Sequence, residues 1–379
     1  MERLFGEEAA GAAAALDGGT GRYAAFVASA GPAAVAENFG GVFGLLRRGS
    51  ACVPFFLPDG AVDRSFAASL RTQFLCYPQE ELSRLKQPLA RAAARPLLQS
   101  AAAAAQALRL DRVVSWSDLL LSTNHHPPDL ADWVGSTTAF LAAAYPDRAV
   151  VVRSLDERTH AAAIRALQAA GYLMLPSRVV YYFDGAGGGF ATRNTTRRDR
   201  RLLTDGRFET LGAADFSAGE ASELTQRYRQ IYVEKHSRLN TRYTERFVAE
   251  AVRSGMLSFR GLRSHEGQLV GAFGIFSHGG VRTVPFIGYD TSRPAEDGLY
   301  RRLVAAMLEE VRRERWMLNY SSGADDFKLR RGGEPVLEYH AVYVGHLPMG
   351  RRLLYRSLVA AVERGSAAVF DALLSGGEG

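Results

Sequence analysis

The order of predicted strands and helices after a short glycine cluster is the feature of this sequence that most restricts its fold. Beyond the cluster at 185–189, the spacing of apolar residues predicts a basic helix, a strand, two helices, three strands joined by hairpin turns, an amphipathic helix, a strand, a short helix and a last strand. These elements occupy residues 193–203, 208–211, 217–254, 257–263, 268–277, 281–290, 298–313, 317–320, 324–331 and 337–344. Such alternation predicts a sheet covered by helices.

The segment before the cluster repeats the later part of this pattern more faintly, with strands and helices predicted at 113–121, 129–144, 149–154, 157–170 and 177–184. The chain has 379 residues, 47% of them hydrophobic, whereas single cores stop growing at roughly 250 to 300 residues. We therefore predict two domains, residues 1–184 and 193–379, joined by a glycine-rich linker at 185–192.

Composition excludes several classes of protein. Cys52 and Cys76 are too few for a disulfide framework, and no Cys/His cluster has metal-ligand spacing, so we expect no metal site. The N-terminal segment has no apolar leader core, and no apolar run approaches the roughly 18 residues of a membrane helix, which predicts a cytoplasmic protein without membrane insertion. The net charge of +6 permits an anionic partner such as a nucleotide, CoA or RNA.

The basic residues are biased towards arginine. Lys and Arg together number 46, and only Lys86, Lys235 and Lys328 are lysines. A lysine that remains in such a sequence marks a position for which the large planar fork of arginine is unsuited. This bias directs attention to the segments around Lys235 and Lys328.

The element order, with a strand, a loop and a helix at 289–300, resembles the GNAT acyltransferase fold over about 193–347. Two GNAT-like halves in one chain resemble the Fem-type (FemABX) peptidoglycan aminoacyltransferases and the BioF2-like acetyltransferase domains. Three local matches carry the resemblance: RNTTRRDRRLL from Arg193, FKLRRGGEPVLEY from Phe327 and GLYRRL from Gly298. The resemblance implies an α/β (α+β) fold of two GNAT-like domains, each a mixed, largely antiparallel sheet flanked by helices.

The resemblance also implies an enzyme. The expected activity is that of an N-acyltransferase, which moves an acyl group from acyl-CoA or another acyl thioester to an amine of a small molecule or peptide, with no permanently bound cofactor. A Fem-like aminoacyl-tRNA donor is an alternative, supported by the Phe-Lys signature and the arginine-rich helix. A catalytically silent GNAT-like scaffold is a third, because the loop RPAEDGLY offers the single Gly298 where the GNAT pyrophosphate motif Q/R-x-x-G-x-G/A has two small residues.

The helix that begins at Gly298 is the predicted cofactor-binding site. A helix start presents unpaired N–H groups and the positive end of the helix dipole, which together favour a phosphate. Arg293 would add a bidentate contact, and Leu299 and Tyr300 follow in the first turn. The alternative is an ordinary helix start capped by Asp297.

The GNAT-like architecture implies a splayed cleft between the strands at 281–290 and 317–320, where Pro285 suits an interruption of pairing because it has no N–H. Lys328 is the predicted oxyanion-stabilising group, so Lys328→Met is expected to abolish transfer at an unchanged melting temperature. Tyr320 is the predicted general acid. The candidate bases are Asp290, Asp326, Glu338 and His340.

Glu338 and His340 lie two residues apart on one predicted strand, so both side chains face the same side of the sheet. If that face lines the cleft, they form an acid/base pair. If it packs beneath a helix, they form a buried structural pair.

The connection between the two helices at 217–254 breaks the helical periodicity and mixes charges, which suits recognition of a polar or anionic substrate. By its position in a GNAT-like fold it would shape the acceptor pocket, with Lys235, His236, Arg238, Asn240 and Tyr243 as the candidate substrate-binding residues. A solvated helix turn would be equally rich in charge.

The basic helix carries five arginines, at positions 193, 197, 198, 200 and 201. They are too many on neighbouring positions to share one helix face. They would neutralise an RNA backbone or lipid-linked phosphates, or else form a solubilising surface.

Overall fold

The structure, a computed structural model, describes residues 1–83 and 102–375; Lys86 lies outside them. All twelve strands of this part of the chain belong to one sheet, in the order β1-β2-β3-β4-β5-β12-β6-β11-β10-β9-β8-β7. Numbered along the chain, the strands are β1 (Glu2–Phe5), β2 (Gly41–Arg48), β3 (Ala51–Pro58), β4 (Val113–Trp116), β5 (Ala149–Leu155), β6 (Leu173–Asp184), β7 (Glu209–Leu211), β8 (Ser258–Arg263), β9 (Leu269–His278), β10 (Val281–Tyr289), β11 (Met317–Asn319) and β12 (Glu334–Tyr343).

Helices cover both faces of the sheet. They are α1 (Gly6–Ala12), α2 (Gly18–Ala30), α3 (Pro32–Val35), α4 (Tyr77–Ser83), α5 (Leu130–Ala144), α6 (Glu157–Ala169), α7 (Asn194–Arg201), α8 (Ala221–Arg229), α9 (Glu245–Ser254), α10 (Leu299–Arg313), α11 (Asp325–Leu329) and α12 (Met349–Ser375). A π-helical turn, Gln230–His236, continues α8. None of the helices described combines the length and apolarity that a membrane crossing requires.

The two halves of the chain share one plan and exchange their last strands. Each half runs through a strand, a group of helices, three strands, a helix, a strand, a helix and a strand, and the first half has α4 inserted between β3 and β4. The last strand of the first half, β6, pairs with β11 of the second half, and the last strand of the second half, β12, pairs with β5 of the first. The exchanged strands also pair with each other, antiparallel, from Glu334↔Tyr182 to Val342↔Leu173.

The predicted fold class is confirmed: both halves contain a mixed, largely antiparallel sheet flanked by helices, with β4–β5 and β10–β11 as parallel pairs of the described sheet. The sequence did not predict that the two sheets join into one. The proposed linker at 185–192 begins where β6 ends at Asp184 and contains the 3-10 turn Gly189–Thr192. The boundaries on either side therefore separate two halves of a continuous sheet.

The apolar core also crosses the boundary between the halves. Tyr23 on α2 contacts Phe247 on α9 and Phe276 on β9 edge to face, with ring centroids 5.9 and 5.8 Å apart. All three side chains are buried, and edge-to-face aromatic pairs add about 0.5 to 1.5 kcal/mol to the burial of their area. The halves are thus fastened by side-chain packing as well as by strand pairing.

One predicted strand is shorter than the apolar pattern suggests. The run at 113–121 predicts a single strand, but β4 ends at Trp116. Ser117 and Leu120 adopt left-handed backbone conformations, with φ of 52° and 57°, which lie outside the extended region that a regular strand needs to continue. The remaining apolar residues, Leu119 and Leu121, are buried in a loop instead.

The exchanged strands predict a single unfolding transition for the whole chain. Unfolding of either half would leave the other without the strand that extends its sheet, so the halves should unfold together. We expect one calorimetric peak whose van't Hoff enthalpy equals the calorimetric enthalpy. Two resolved transitions, one for each half, would contradict the coupling.

Candidate active site

An opening in the sheet lies between β10 and β11. The two strands pair in parallel from Val281↔Met317 to Thr283↔Asn319 and then diverge. At the same point the pairing of β10 with β9 shifts register between Thr283 and Phe286, a stretch that contains Pro285. A proline has no N–H for the ladder, so the bulge and the divergence begin together. We call this opening the gap.

The helices α8 and α10 lie on opposite faces of the sheet beside the gap. A Cβ atom on Gly288 of β10 would lie 2.4 Å from the backbone of Arg227 on α8, whereas a Cβ atom on Gly271 of β9 would lie 3.0 Å from the Leu303 side chain on α10. Neighbouring residues of a strand point to opposite faces, and Gly271 pairs with Tyr289. An opening at this point therefore connects the α8 face with the α10 face.

A cavity of about 590 Å³ occupies the gap and its surroundings. Its walls come from both halves of the chain and include six tyrosines: Tyr77, Tyr228, Tyr232, Tyr289, Tyr300 and Tyr320. Among the described residues that line it, none is Asp or Glu, whereas the lining contains Arg178, Lys235 and Lys328. The cavity thus has an aromatic body and an excess of hydrogen-bond donors and positive charge.

Lys328 lies beside the gap, but its ammonium group is already fully bonded. Its side chain is buried, and Nζ donates to the carbonyl oxygens of Tyr320, Ser321 and Ser322 at 2.8, 3.0 and 2.8 Å. An ammonium group has three donors, so none remains for an oxyanion. Burial lowers the pKa of Lys328 to about 7, opposed by the charge of Asp325, while the three carbonyls favour the charged form.

The role predicted for Lys328 is therefore corrected. The residue ties down the loop after β11, where Ser321 and Ala324 have left-handed φ values of 58° and 53°. Non-glycine residues adopt this conformation at a cost of about 1 to 3 kcal/mol each, so the loop needs a local interaction to hold it. Three converging carbonyls fit the compact ammonium of lysine better than the planar fork of arginine.

Tyr320 lies at the gap as predicted, and Tyr300 joins it. The Tyr320 hydroxyl is 3.2 Å from the hydroxyl of Tyr300 on α10, and both side chains line the cavity. Burial raises the pKa of Tyr320 well above its ordinary value and also raises that of Tyr300. Both hydroxyls are therefore protonated at neutral pH and form a connected pair.

Glu338 and His340 on β12 lie behind the wall of the cavity. Glu338 is buried and accepts from Arg178 Nε at 3.0 Å, while His340 accepts the N–H of Ser154 at Nδ1 and contacts Gln73 Oε1 through Nε2 at 2.9 Å. Burial holds the pKa of His340 well below its ordinary value. They are buried hydrogen-bonded groups that support lining residues, rather than the acid/base pair predicted as one alternative.

The other candidate bases lie away from the cavity lining. Asp290, at the end of β10, is 3.2 Å from Arg227 Nη1 and accepts from Ser292. Burial raises its pKa, but the bonds from Ser292 and the charge of Arg227 leave it below the ordinary value. Asp326 is exposed in the first turn of α11. Neither is placed to remove a proton inside the cavity.

The predicted cofactor residues around Gly298 form the start of α10. Gly298 is the residue before the helix, left-handed at φ 61°, and no side chain caps the helix N–H groups, so the alternative of a cap by Asp297 is excluded. The buried Asp297 carboxylate instead contacts Arg293 Nε at 2.7 Å and Arg207 at 3.2 Å. Of the five predicted residues, Tyr300 lines the cavity, while Leu299 is buried in the core.

The predicted acceptor residues divide into two groups. Lys235, His236 and Asn240 line the cavity, and Asn240 Nδ2 donates to the carbonyl of Tyr232 at 2.7 Å. Arg238 is exposed outside the lining, and Tyr243 lies in the core, where its ring stacks on Phe247 with centroids 5.2 Å apart. The π-helical turn explains the broken periodicity of this segment, because it changes the residue spacing after α8.

The first half of the chain contributes part of the cavity wall, which the sequence patterns did not predict. Gln73, Ser122, Ser177 and Arg178 line the cavity beside residues of the second half. Arg178 and Ser177 are polar residues within the long apolar strand β6, and a charge inside an apolar strand was the available signal. The exchange of β6 into the other half, which brings them to the gap, has no signal in local periodicity.

The equivalent opening in the first half is filled. There β4 and β5 pair in parallel from Val113↔Ala149 to Ser115↔Val151 and then diverge. The following loop folds into the space: buried Asp118 contacts Arg153 Nη1 at 3.1 Å, and the His126 ring bonds the carbonyl of Arg153 at 2.7 Å. The carbonyl of Arg153 lies beyond the pairing with β4, and it accepts its hydrogen bond from the His126 side chain instead.

No group of three or more His, Cys, Asp or Glu side chains in residues 1–83 and 102–375 is arranged to hold a metal ion. The lining of the candidate site instead contains the side chains of tyrosine, serine, asparagine, glutamine, lysine and arginine.

Residues 191–329 match the family model of the acetyltransferase (GNAT) domain. The matched span includes the gap and extends from α7 to α11. The match confirms the resemblance to GNAT acyltransferases, and in its general class the protein is an acyltransferase. No curated protein matches the sequence.

The likeness to the solved structure of FemX extends to the first half. FemX is similar over 93% of this chain and 100% of its own, with a TM-score of 0.53 and 7% identity, so the two share a fold that includes both halves. L-PGS from Bacillus licheniformis covers 62% of this chain and 80% of its own at TM-score 0.43 and 14% identity. The C-terminal domain of a putative lysylphosphatidylglycerol synthetase from Agrobacterium fabrum covers 65% and 82% at TM-score 0.42 and 11% identity.

Replacement of Lys328 by methionine tests its structural role. Lys328→Met leaves three buried carbonyls without a donor, and unsatisfied buried groups cost about 1 to 3 kcal/mol each. We expect the free energy of unfolding to fall by about 3 kcal/mol, measured by denaturant titration. The matched control is Lys235→Met, at an exposed lysine, which should change it by less than about 0.5 kcal/mol. A Lys328→Met variant as stable as the control would contradict this role.

Proposed function

We propose that the protein is an N-acyltransferase that transfers an acyl group from acyl-CoA to an amine inside the gap. One observation carries the proposal: the cavity begins among Tyr228 and Tyr232 on the α8 face and reaches Tyr300, in the first turn of α10, on the other face. A donor bound at the start of α10 and an amine entering from the α8 face therefore meet in the gap.

The start of α10 supports a phosphate-bearing donor. Its first N–H groups have no side-chain cap, and a helix start favours an anion through these groups and through its dipole. The arginine-rich α7 lies alongside, because Asp199 on α7 accepts from Arg301 Nε at 2.8 Å. Diphosphate oxygens at this helix start would therefore lie near several exposed guanidinium groups.

The reaction is a direct attack of the amine nitrogen on the carbonyl carbon of the thioester. The C–N bond forms, the C–S bond breaks, and the sulfur leaves as a thiolate that must gain a proton while the nitrogen loses one. No carboxylate among the described residues lines the cavity, so we assign both transfers to the hydroxyl pair of Tyr300 and Tyr320. A hydroxyl accepts and donates at once, and the pair passes one proton from nitrogen to sulfur.

Removal of the Tyr320 hydroxyl tests this relay. Tyr320→Phe keeps the aromatic wall and should lower kcat by about 10²- to 10³-fold, with little change in KM for the donor. Tyr339→Phe is the control, because Tyr339 is a half-buried tyrosine of β12 outside the cavity lining. Both variants are assayed by release of free CoA thiol in the presence of a panel of amines. Wild-type turnover in Tyr320→Phe would remove this tyrosine from the chemistry.

An aminoacyl-tRNA donor is the second candidate. Two observations favour it: the fold similarity to FemX extends along nearly the whole chain, and the five arginines at 193, 197, 198, 200 and 201 are exposed. Exposed guanidinium groups bind nucleic-acid phosphates with a strong dependence on salt.

Thermal denaturation with each donor separates the two candidates. A ligand present at 100 times its dissociation constant stabilises the folded state by about 2.7 kcal/mol. We expect CoA to raise the melting temperature and charged tRNA to leave it unchanged. A shift with charged tRNA alone would support the second candidate. No shift with either, together with no acyl transfer to any amine, would contradict both donors.

A further inference from the structure

We infer that Arg178, with the serine hydroxyls around it, binds a carboxylate of the acceptor, so that the acceptor is an amine carrying a carboxylate, such as an amino acid or a peptide. The inference rests on the proposed function in one respect only, namely that an amine acceptor occupies the cavity. The subsite lies on β6 and therefore belongs to the half of the chain outside the matched GNAT domain.

The bonds of the Arg178 guanidinium leave one nitrogen, Nη1, with an unused donor. Its Nε and Nη2 contact Glu338 at 3.0 and 3.2 Å, and Nη2 also donates to the carbonyl of Ser122. Nη1 has a single long contact, 3.4 Å to Ser322 Oγ. The side chain is 17% exposed in a cavity-lining position, so Nη1 is available to a ligand.

Hydroxyl and amide groups complete the subsite. Ser122, Ser177 and Ser322 line the cavity beside Arg178, and so does Gln73. Gln73 Nε2 donates to Ser177 Oγ at 2.8 Å, which orients that hydroxyl. The Ser177 hydroxyl in turn donates to Glu338 Oε1 at 3.4 Å, so Ser122 and Ser322 supply the hydroxyls that face an oxygen-rich ligand. None of the described lining residues adds a negative charge to this wall.

The charge of the subsite favours a singly charged anion. Glu338 balances Arg178 from behind, where it is 1% exposed, and no Asp or Glu among the described residues faces the cavity. Because Glu338 already balances Arg178, a dianionic phosphate would leave a larger uncompensated negative charge in the subsite than a monoanion leaves. Because Nε and Nη2 are held by Glu338 and Ser122, a carboxylate would bind through Nη1 and the neighbouring hydroxyl of Ser322.

The subsite is connected to the reacting groups by three consecutive residues. Ser322 contacts Arg178, and Tyr320, two residues earlier, carries the hydroxyl assigned to proton transfer. The carbonyls of both residues bond to Lys328, so the loop holds the two positions in fixed relation. A carboxylate at Arg178 would therefore orient the amine of the same molecule towards the gap.

Binding of a matched pair of probes tests the inference without acyl transfer. The probes are N-acetylglycine and its uncharged amide, N-acetylglycinamide, titrated into the protein by calorimetry. Hydrogen bonds to a charged group are worth about 1.5 to 3 kcal/mol, so we expect the acid to bind at least about tenfold more tightly. Equal binding of acid and amide by the wild type, or binding of neither, would overturn the carboxylate subsite.

Paired substitutions assign the preference to Arg178. The double variant R178Q/E338Q removes both charges while keeping two side chains that hydrogen-bond, and it should bind acid and amide alike. The control R260Q/E310Q removes a comparable buried pair, Arg260 Nη2 to Glu310 Oε1 at 2.6 Å, outside the cavity, and should keep the preference. A preference retained in R178Q/E338Q would overturn the assignment, and the wild-type comparison stands even if that variant does not fold.

The two proposals fail in different ways. Turnover with amines that lack a carboxylate, at rates equal to those of their acid counterparts, would overturn the carboxylate subsite and leave acyl transfer intact. Acid-selective probe binding without acyl transfer to any amine would instead keep the subsite and contradict the proposed reaction.

Discussion

The pairing of β6 with β12 is the constraint on which the rest of the structure depends. Each strand comes from one half, and together they form nine antiparallel residue pairs at the centre of the sheet. Buried backbone N–H and C=O groups need partners, and here those partners come from the opposite half. The loop after β11 relies on the same exchange, because Tyr181 on β6 bonds through its backbone to Tyr320 and Ser321.

The shape of the gap follows from two local effects, one on each of the two strands that border it. On β10, Pro285 and the register shift end the pairing, while after β11 the left-handed residues Ser321 and Ala324 turn the chain away. The strain of the second effect is offset by Lys328, which gathers three carbonyls under the loop. An open sheet edge is a liability in most proteins. Here the edge stays open because Pro285 has no N–H to donate and because the chain turns away after β11.

The order of strands and helices was predictable from sequence because apolar periodicity is a local property. The resemblance to GNAT acyltransferases, which this order supports, implied a cleft beside Pro285 and named Tyr320, Tyr300 and Lys235 as candidates, and these residues line the cavity. The exchange of β6 and β12 was not predictable, because it depends on pairing between distant segments. Arg178 was missed for the same reason, and the bonding of Lys328 depends on a loop conformation that residue type does not encode.

The two halves share an order of elements but differ at the opening between their parallel strands. Asp118, Arg153 and His126 occupy the position that the cavity occupies in the second half. The first half contributes Gln73, Ser122, Ser177 and Arg178 to the wall of the cavity in the second half. A fragment that contains only one half would therefore lack part of the wall of the proposed reaction site.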